Sequence, residues 1–474
     1  MTNKKIARLL LAISFLFLFL IVYITGFDLV NHDKYAATNT SSREEYVRRG
    51  SIYDRNDVLL AESTGHIKNQ KRQYPYKNLY SHVIGYKSSI FDTTGLERNY
   101  NNALMGASDT ALVGGFLTFV EDAKSAMSGE EEKEGADITL TIDNELQQTA
   151  SDALGNIKGA IVVMNPKTGE ILAMISKPDF DPTPETLDEE MAAANERNDG
   201  SLTQRAVTGS YLPGSTFKII VAASMLENGM GDFTIDRDTE LRTDKSNYGN
   251  VKTITGEVNL ESAFPSSHNI YFCEGAIELG ADRVMETARR FMFTEKIVVD
   301  KCPLAVGTLP DENDVNSYGK IGNLALGQDK VTASPLHLAM IASAIANDGV
   351  MMQPYFISTI TDPVYYEAEP TSLKRCVSSS TAKTLQRLMK KCVDSGTGSG
   401  AKISGVEVCG KTGTAEINTA TGDANAVFVG FAPYRNPEVA IAVVLENVPH
   451  KVTGGGQAAP IAKTVLEKYF ELYK

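Results

Sequence analysis

Serine and lysine stand three residues apart in Tyr211-Leu-Pro-Gly-Ser-Thr-Phe-Lys-Ile-Ile220. On a helix, residues i and i+3 share one face, and Pro213-Gly214 is a natural lead-in that puts Ser215 in the first turn. A helix N-terminus offers free backbone N–H groups and the positive end of the dipole. That partial charge disfavours a second one and so favours an uncharged Lys218. An uncharged amine beside a hydroxyl can take its proton, which activates a serine without histidine. The spacing alone is weak evidence, because Ser380-Thr-Ala-Lys383 repeats it. That copy lacks the Pro-Gly lead and reads as an ordinary helix start.

Two more segments hold side chains suited to such a site. Ser266-Ser-His-Asn-Ile-Tyr-Phe272 supplies a hydroxyl, Ser267, and an amide, Asn269, two residues apart in an expected loop. Val408-Cys-Gly-Lys-Thr-Gly-Thr-Ala415 reads as a strand with Lys411 and Gly413 on one face and Thr412 and Thr414 on the other. Gly413 is expected to let a substrate backbone approach closely. Lys167-Thr168-Gly169 repeats the triplet, but it falls at a hairpin turn upstream of Ser215 and reads as structural. Each signal alone arises by chance; the three in this order do not.

These side chains need a scaffold. Asp137–Asp143 alternates as a strand does, and Glu145–Leu154 reads as a helix. Ala160–Met164 and Gly169–Ile175 read as strands joined by Asn165-Pro166-Lys167-Thr168. Ala426–Ala432 and Val439–Leu445 are strand-like, and about Gln457 to Tyr473 reads as a closing helix. Strands thus come from both ends of this region with helices between. The expected fold is α/β (α+β): one central antiparallel sheet with a helical insert.

Upstream, residues 46–107 carry turn signals and short apolar runs. Polar stretches at 31–45 and 128–135 read as a juxtamembrane spacer and a linker. Lys4, Lys5 and Arg8 precede the apolar run Leu9–Gly26, which is long enough to span a bilayer core. The charge placement keeps the N-terminus cytoplasmic and exports the rest. No A-x-A cleavage pattern follows, so an uncleaved single-pass anchor is expected in the plasma membrane. The expected layout is therefore 1–8 cytoplasmic, 9–26 anchor, 27–134 a small pedestal, and 135–474 the catalytic domain. A net charge of −13 argues against a nucleic-acid partner. Cys273, Cys302, Cys376, Cys392 and Cys409 are odd in number and lack metal-ligand spacing, so all five are read as small buried residues and zinc is not supported. Pairing of Cys376 with Cys392 is the minority reading. His32, His66, His82, His337 and His450 sit in no catalytic motif and read as surface or satisfied core.

The serine–lysine pair, the S-x-N triplet and the Lys-Thr-Gly strand form the trio of penicillin-binding proteins and class A β-lactamases. With that trio in place, the chain resembles a class B penicillin-binding protein, the monofunctional transpeptidase type. Arg49-Gly-Ser-Ile-Tyr-Asp-Arg-Asn56, His82-Val-Ile-Gly-Tyr86 and Gly95-Leu-Glu97 resemble pieces of that family's N-terminal module. Leu140-Thr-Ile-Asp143, Thr168-Gly-Glu-Ile-Leu-Ala173, Leu326-Gly-Gln328, Phe428-Val-Gly-Phe-Ala-Pro433 and Gly455-Gly-Gln-Ala-Ala-Pro460 resemble landmarks of its transpeptidase domain. The likeness runs from about residue 46 to the end and is looser between about 100 and 135. Two departures are His268 inside S-x-N, where a small residue is usual, and Cys409 before the Lys-Thr-Gly strand. His268 is expected to point away from the cleft.

The resemblance implies a peptidoglycan D,D-transpeptidase that acts on D-Ala-D-Ala stem peptides and is acylated by β-lactams, without cofactor or metal. It implies Ser215 as nucleophile, Lys218 as general base, Ser267 as proton carrier, Asn269 as orienter of Lys218, and Lys411 as the cation of the site. The backbone N–H groups of Ser215 and Thr414 would form the oxyanion hole, and Thr412 and Thr414 would bind the terminal carboxylate beside Gly413. It also implies a separate membrane glycosyltransferase partner of the shape, elongation, division and sporulation type. A D,D-carboxypeptidase shares the chemistry and is the first alternative. A membrane-bound β-lactam sensor is disfavoured by the single apolar span, and a β-lactamase by the anchor and the extra module. A bifunctional class A enzyme would need a second catalytic domain, for which the roughly 110 residues upstream are too few. A non-enzymatic scaffold would not need Ser215, Lys218 and Lys411 intact.

Overall fold

The structure, a computed structural model, describes residues 13–19, 47–88, 90–107, 133–236, 256–418, 422–449 and 451–474. Of the expected anchor only residues 13–19 belong to that set; they are helical, with exposed apolar side chains. The rest of the anchor, residues 1–8, the polar spacer, much of the acidic linker, His32 and His450 lie outside the described residues. No helix among the described residues is long and apolar enough to cross a membrane.

The N-terminal part is built of short strands. β1 (Ile52–Tyr53), β2 (Leu59–Thr64) and β3 (Lys71–Gln73) are antiparallel neighbours. β4 (Ile138–Leu140) runs parallel to β1, so the chain before and after residue 134 shares one sheet. Two glycines allow the close approach this requires. A Cβ on Gly50 would lie 2.0 Å from the Ala136 carbonyl oxygen, and one on Gly135 would lie 1.9 Å from that of Leu104. The strand expected over Asp137–Asp143 is shorter because Asp143 does something else. Its carboxylate accepts from the Leu146 N–H at 3.0 Å and caps α1 (Asn144–Leu154). The same carboxylate accepts from Asn56 Nδ2 (3.0 Å) and the Tyr473 hydroxyl (2.8 Å), while Asp54 accepts from the Asn144 N–H (2.9 Å). The Tyr-Asp-Arg-Asn part of the first motif thus fastens the pedestal to the start of α1 and to the last helix.

Farther on come β5 (Gly159–Met164) and β6 (Ile171–Lys177), then the helices α2 (Lys218–Glu227), α3 (Leu260–Ser266), α4 (Asn269–Leu279) and α5 (Pro335–Ala346). β7 (Ile357–Ile360) and β8 (Tyr366–Glu367) join the pedestal sheet through β4. After α6 (Ser379–Ser395), β9 (Cys409–Asn418), β10 (Asp423–Ala432) and β11 (Val439–Pro449) are followed by α7 (Ala459–Leu472). The central sheet has the order β9-β10-β11-β5-β6 and is antiparallel throughout. Both ends of the catalytic region build it, and the helices between them form the insert, as expected.

β5 and the first seven residues of β11 are buried at every position, so both faces of the sheet are covered. α5 is buried along its whole length and packs on β5, β10 and β11. Its start is set by the Ser334 hydroxyl accepting from the His337 N–H and by Pro335 at the first helical position. α1 and α7 pack on each other and on the sheet. β6 and β9 are the two edge strands, and β9 carries the Lys-Thr-Gly-Thr run.

Candidate active site

Ser215 lies in a 3-10 turn, Gly214–Phe217, that runs into α2 at Lys218. The expected first α-helical turn is thus tighter than anticipated. With three residues per turn, i and i+3 eclipse, so the amine's stem starts directly beyond the hydroxyl. The turn is braced from behind: the Gly214 N–H donates to the Gly327 carbonyl at 3.0 Å, and a Cβ on Gly327 would lie 2.4 Å from the Gly214 oxygen. That contact is why Leu326-Gly-Gln328 is a landmark. Ahead of the turn, the Tyr211 hydroxyl donates to Glu446 (2.7 Å), which also accepts from Arg205 (2.7 Å). No sequence pattern marks this brace, since Glu446 lies more than 200 residues from the other two members.

The second segment is shaped by strain. Ser267 has φ 56° and ψ 40°, the left-handed region, and joins α3 to α4. A non-glycine residue there costs about 1–2 kcal/mol and is held by its surroundings. The Ser267 N–H donates to Phe264 (3.1 Å) and the His268 N–H to Ala263 (2.9 Å). His268 is buried and caps α4, its Nδ1 accepting from the Tyr271 N–H at 3.2 Å. Burial, and then Lys218, lower its pKa, which keeps that acceptor lone pair. Asn269 is therefore the first residue of α4 rather than a loop residue.

These elements converge on two amines. Lys218 Nζ donates to Asn269 Oδ1 at 2.6 Å and to the Ser267 carbonyl at 2.8 Å, and lies 3.2 Å from Ser267 Oγ. Lys411 Nζ donates to Ser267 Oγ at 2.9 Å and to the Thr412 carbonyl at 3.0 Å. Both lysines are fully buried, against the rings of Phe272 and Phe264 respectively. Burial, and then Lys411, push Lys218 well below the usual lysine range; burial lowers Lys411 to about 8. One ammonium and one free amine is thus the stable arrangement near neutral pH, with the free amine on Lys218. Asn269 Oδ1 and the Ser267 carbonyl take two N–H groups of that amine and leave its lone pair. Ser215 is half-buried, and its hydroxyl makes no hydrogen bond among the described residues. It sits at the mouth of the site.

The third segment corrects one expectation. Gly413 shares a face with Lys411, but the backbone that comes close to it is the protein's own. A Cβ on Gly413 would lie 2.5 Å from the Pro213 carbonyl oxygen and 3.1 Å from Thr216 Cγ2. The missing side chain lets the serine turn press against β9, rather than a substrate. We expect Gly413→Ala to separate the two and to slow acylation by β-lactam at least tenfold while far-UV circular dichroism stays unchanged. An unaltered rate would show that the turn yields freely.

On the other face, Thr412 Oγ1 lies 2.6 Å from Thr397 Oγ1, and Thr414 Oγ1 accepts from the Gly454 N–H at 3.3 Å. Gly454 opens a one-turn π-helix, Gly454–Ala458, and a Cβ on it would lie 2.4 Å from the Gly413 carbonyl oxygen. Thr397 was missed by the sequence reading, and no motif marks it. The Gly455-Gly-Gln landmark follows a glycine that packs on β9.

The remaining expectations can be placed. Lys167–Gly169 lies in the turn between β5 and β6, and Ser380 and Lys383 lie in the first turns of α6, capped by Ser378. All five cysteines are free, so Cys376 and Cys392 are not bridged; four are buried and Cys302 is half-buried. His82 and His337 are held neutral by burial, each at about 4, with ring nitrogens on the Pro178 and Phe291 carbonyls. His66 is an exposed helix cap.

The two lysines predict a pH profile. Acylation needs Lys218 without its proton and Lys411 with it. The rate is expected to rise with pH as Lys218 deprotonates and to fall above about 8 as Lys411 does. A penicillin acylation rate that stays flat from pH 7 to 10 would contradict this assignment.

With this geometry in view, the comparisons are unambiguous. Residues 159–467 match the penicillin binding protein transpeptidase domain, and residues 49–136 match the penicillin binding protein A dimerisation domain. The chain belongs to the penicillin-binding protein family, as a class B member of the peptidoglycan D,D-transpeptidase type. It is 31% identical to the peptidoglycan D,D-transpeptidase PbpA of Mycolicibacterium smegmatis, over 98% of both chains. It is 30% identical to the peptidoglycan D,D-transpeptidase MrdA of Acinetobacter baumannii, over 84% of this chain and 65% of that one. Among solved structures, penicillin-binding protein A of M. tuberculosis as a ceftriaxone acyl-enzyme superposes with a TM-score of 0.80 at 31% identity, covering 90% of this chain and 98% of that one. A D,D-transpeptidase domain from Eggerthella lenta gives 0.77 at 32% identity, covering 90% and 99%.

Proposed function

We infer that this protein is a serine peptidoglycan D,D-transpeptidase that cross-links D-Ala-D-Ala stem peptides and that β-lactams acylate on Ser215. The observation that carries this reading is Ser267 Oγ standing between the Lys218 and Lys411 amines, 3.2 and 2.9 Å away. Ser215 Oγ attacks the penultimate D-alanine carbonyl carbon as its proton passes to Lys218. The backbone N–H groups of Ser215 and Thr414 take the developing oxyanion, usually the largest single electrostatic contribution to such a step. The C–N bond then breaks, and Ser267 hands a proton to the departing D-alanine amine while drawing one from Lys218. Lys411 keeps the local field positive. Asn269 holds Lys218 in place and meets the substrate amide. The substrate lies along the free edge of β9, where backbone groups are available for strand addition. Thr412 and Thr414 serve the terminal carboxylate, Thr414 by donating the hydroxyl proton it retains. An amine from a neighbouring stem then attacks the acyl-enzyme in the reverse sense and releases Ser215. No cofactor enters any step.

The resemblance also supports a pedestal at 27–134, a catalytic domain at 135–474, a single membrane span at 9–26 and an extracytoplasmic catalytic domain. A separate membrane glycosyltransferase of the shape, division or sporulation type is the proposed partner, and a pull-down that lacks any such protein would count against it. The alternative, a D,D-carboxypeptidase, transfers the acyl group to water. A stem-peptide analogue incubated with an acceptor amine separates the two: amide product is expected, and release of D-alanine with hydrolysis alone would favour the carboxypeptidase.

A further inference from the structure

We propose that the pedestal carries a second, non-catalytic binding site, a pocket for a small oxyanion, carboxylate or phosphate, walled by Arg49, Arg72, Lys71 and Lys87. The pocket encloses about 440 Å³ and is closed on one side by Glu185 of the catalytic region. It does not include any of Ser215, Lys218, Ser267 or Lys411.

Glu97 is completely buried and bonds to two arginines: Arg49 Nε and Arg72 Nε each donate to its carboxylate at 2.7 Å. Burial alone would raise its pKa, but Arg49 and Arg72 outweigh that and hold it at about 2. The carboxylate is therefore ionised, yet it balances only one of the two guanidinium groups. Arg49 has its remaining nitrogens occupied, by the Glu97 carbonyl (2.7 Å) and Asn101 Oδ1 (2.6 Å). Arg72 does not. Its Nη1 donates to the Gly50 carbonyl (2.8 Å) and lies 3.3 Å from Ser63 Oγ, while Nη2 is buried with no hydrogen-bond partner among the described residues. Arg72 is only 5% exposed. A buried surplus positive charge with an unanswered donor is costly in a folded protein. An oxyanion in the adjoining pocket answers the surplus charge, and a guanidinium fork is suited to carboxylate and phosphate.

The rest of the wall agrees. Lys71 and Lys87 add two cations, and Lys71 Nζ is a loose 3.6 Å from Glu185, with both side chains exposed. Among the described residues, Arg49, Arg72 and Lys71 face two carboxylates, Glu97 and Glu185, in a chain whose net charge is −13. The positive field here is local, not a property of the surface at large. Both the cell-wall sugar carboxylates and inorganic phosphate present this chemistry, so the probes are chosen to separate them.

The test uses the full chain in detergent, first acylated with penicillin so that the catalytic serine is occupied. Inorganic phosphate and N-acetylmuramic acid are titrated separately by isothermal calorimetry, at constant ionic strength. Saturable binding of at least one is expected, at least tenfold weaker in a Lys71→Gln/Lys87→Gln variant. A Lys374→Gln/Lys383→Gln variant, with the same charge change on exposed lysines elsewhere, should bind as the parent does. Preference for phosphate or for the sugar acid identifies the source. No saturable binding of either probe, or equal weakening in the two variants, overturns the proposal. Penicillin labelling of all three proteins checks that each is folded.

Discussion

Replacing Lys218 by methionine is expected to slow acylation by penicillin about 10²- to 10⁴-fold, the range that a positioned general base contributes. The substitution keeps the stem among Phe272 and its neighbours and removes only the nitrogen. Two losses then coincide. Ser215 has no base for its proton, and Asn269 Oδ1 and the Ser267 carbonyl lose the donor they share at 2.6 and 2.8 Å. Lys218→Arg is the more telling change. A guanidinium keeps a donor in the site but does not give up its proton at any accessible pH. If Lys218 acts as a neutral base, arginine rescues nothing; if it serves only as a cation, arginine restores part of the rate. Stopped-flow measurement of the second-order acylation rate for both variants decides between these roles.

Glu97→Ala is expected to weaken the pedestal by about 3–5 kcal/mol, because it leaves two arginines buried without their common carboxylate. The effect should appear in hydrogen exchange as faster opening of amides between 47 and 105. The catalytic sheet contains none of these three charged residues and should be affected less. Replacing all three, as Arg49→Met, Arg72→Leu and Glu97→Met, should cost less than Glu97→Ala alone, since no orphaned charge remains. The pH dependence has a definite sign. Glu97 is held at about 2, below its unfolded value near 4.3. Its contribution is therefore fully present above about pH 5 and is lost as pH falls towards 2. Unchanged protection in Glu97→Ala would mean that the cluster relaxes to water.

The parts of this molecule that could be read from the sequence are those in which local pattern and long-range structure agree. The apolar runs Val439–Leu445 and Ala160–Met164 announced strands because nothing competed for those residues. The serine–lysine spacing survived a wrong turn type, since three residues put both side chains on one side in either helix. Other features depended on partners far away in the chain. Asp143 looks like the end of a strand until Asn56 and Tyr473 claim it as a helix cap. Gly413 looks like an opening for substrate until Pro213 fills the space. Ser267 gives no hint of a left-handed backbone, because the strain is imposed by α3 and α4. The sharing of one sheet by the pedestal and residues 138–140 and 357–360 is a matter of register between short strands, on which no sequence pattern bears.

The central claim concerns one oxygen atom. Intact-protein mass spectrometry after exposure to penicillin should find a single acyl adduct, mapped by peptide digestion to the segment holding Ser215. The Ser215→Ala protein, folded by circular dichroism, should carry none, with Ser380 unmodified in both. An adduct of the same stoichiometry on the alanine variant would place the nucleophile elsewhere and contradict the account.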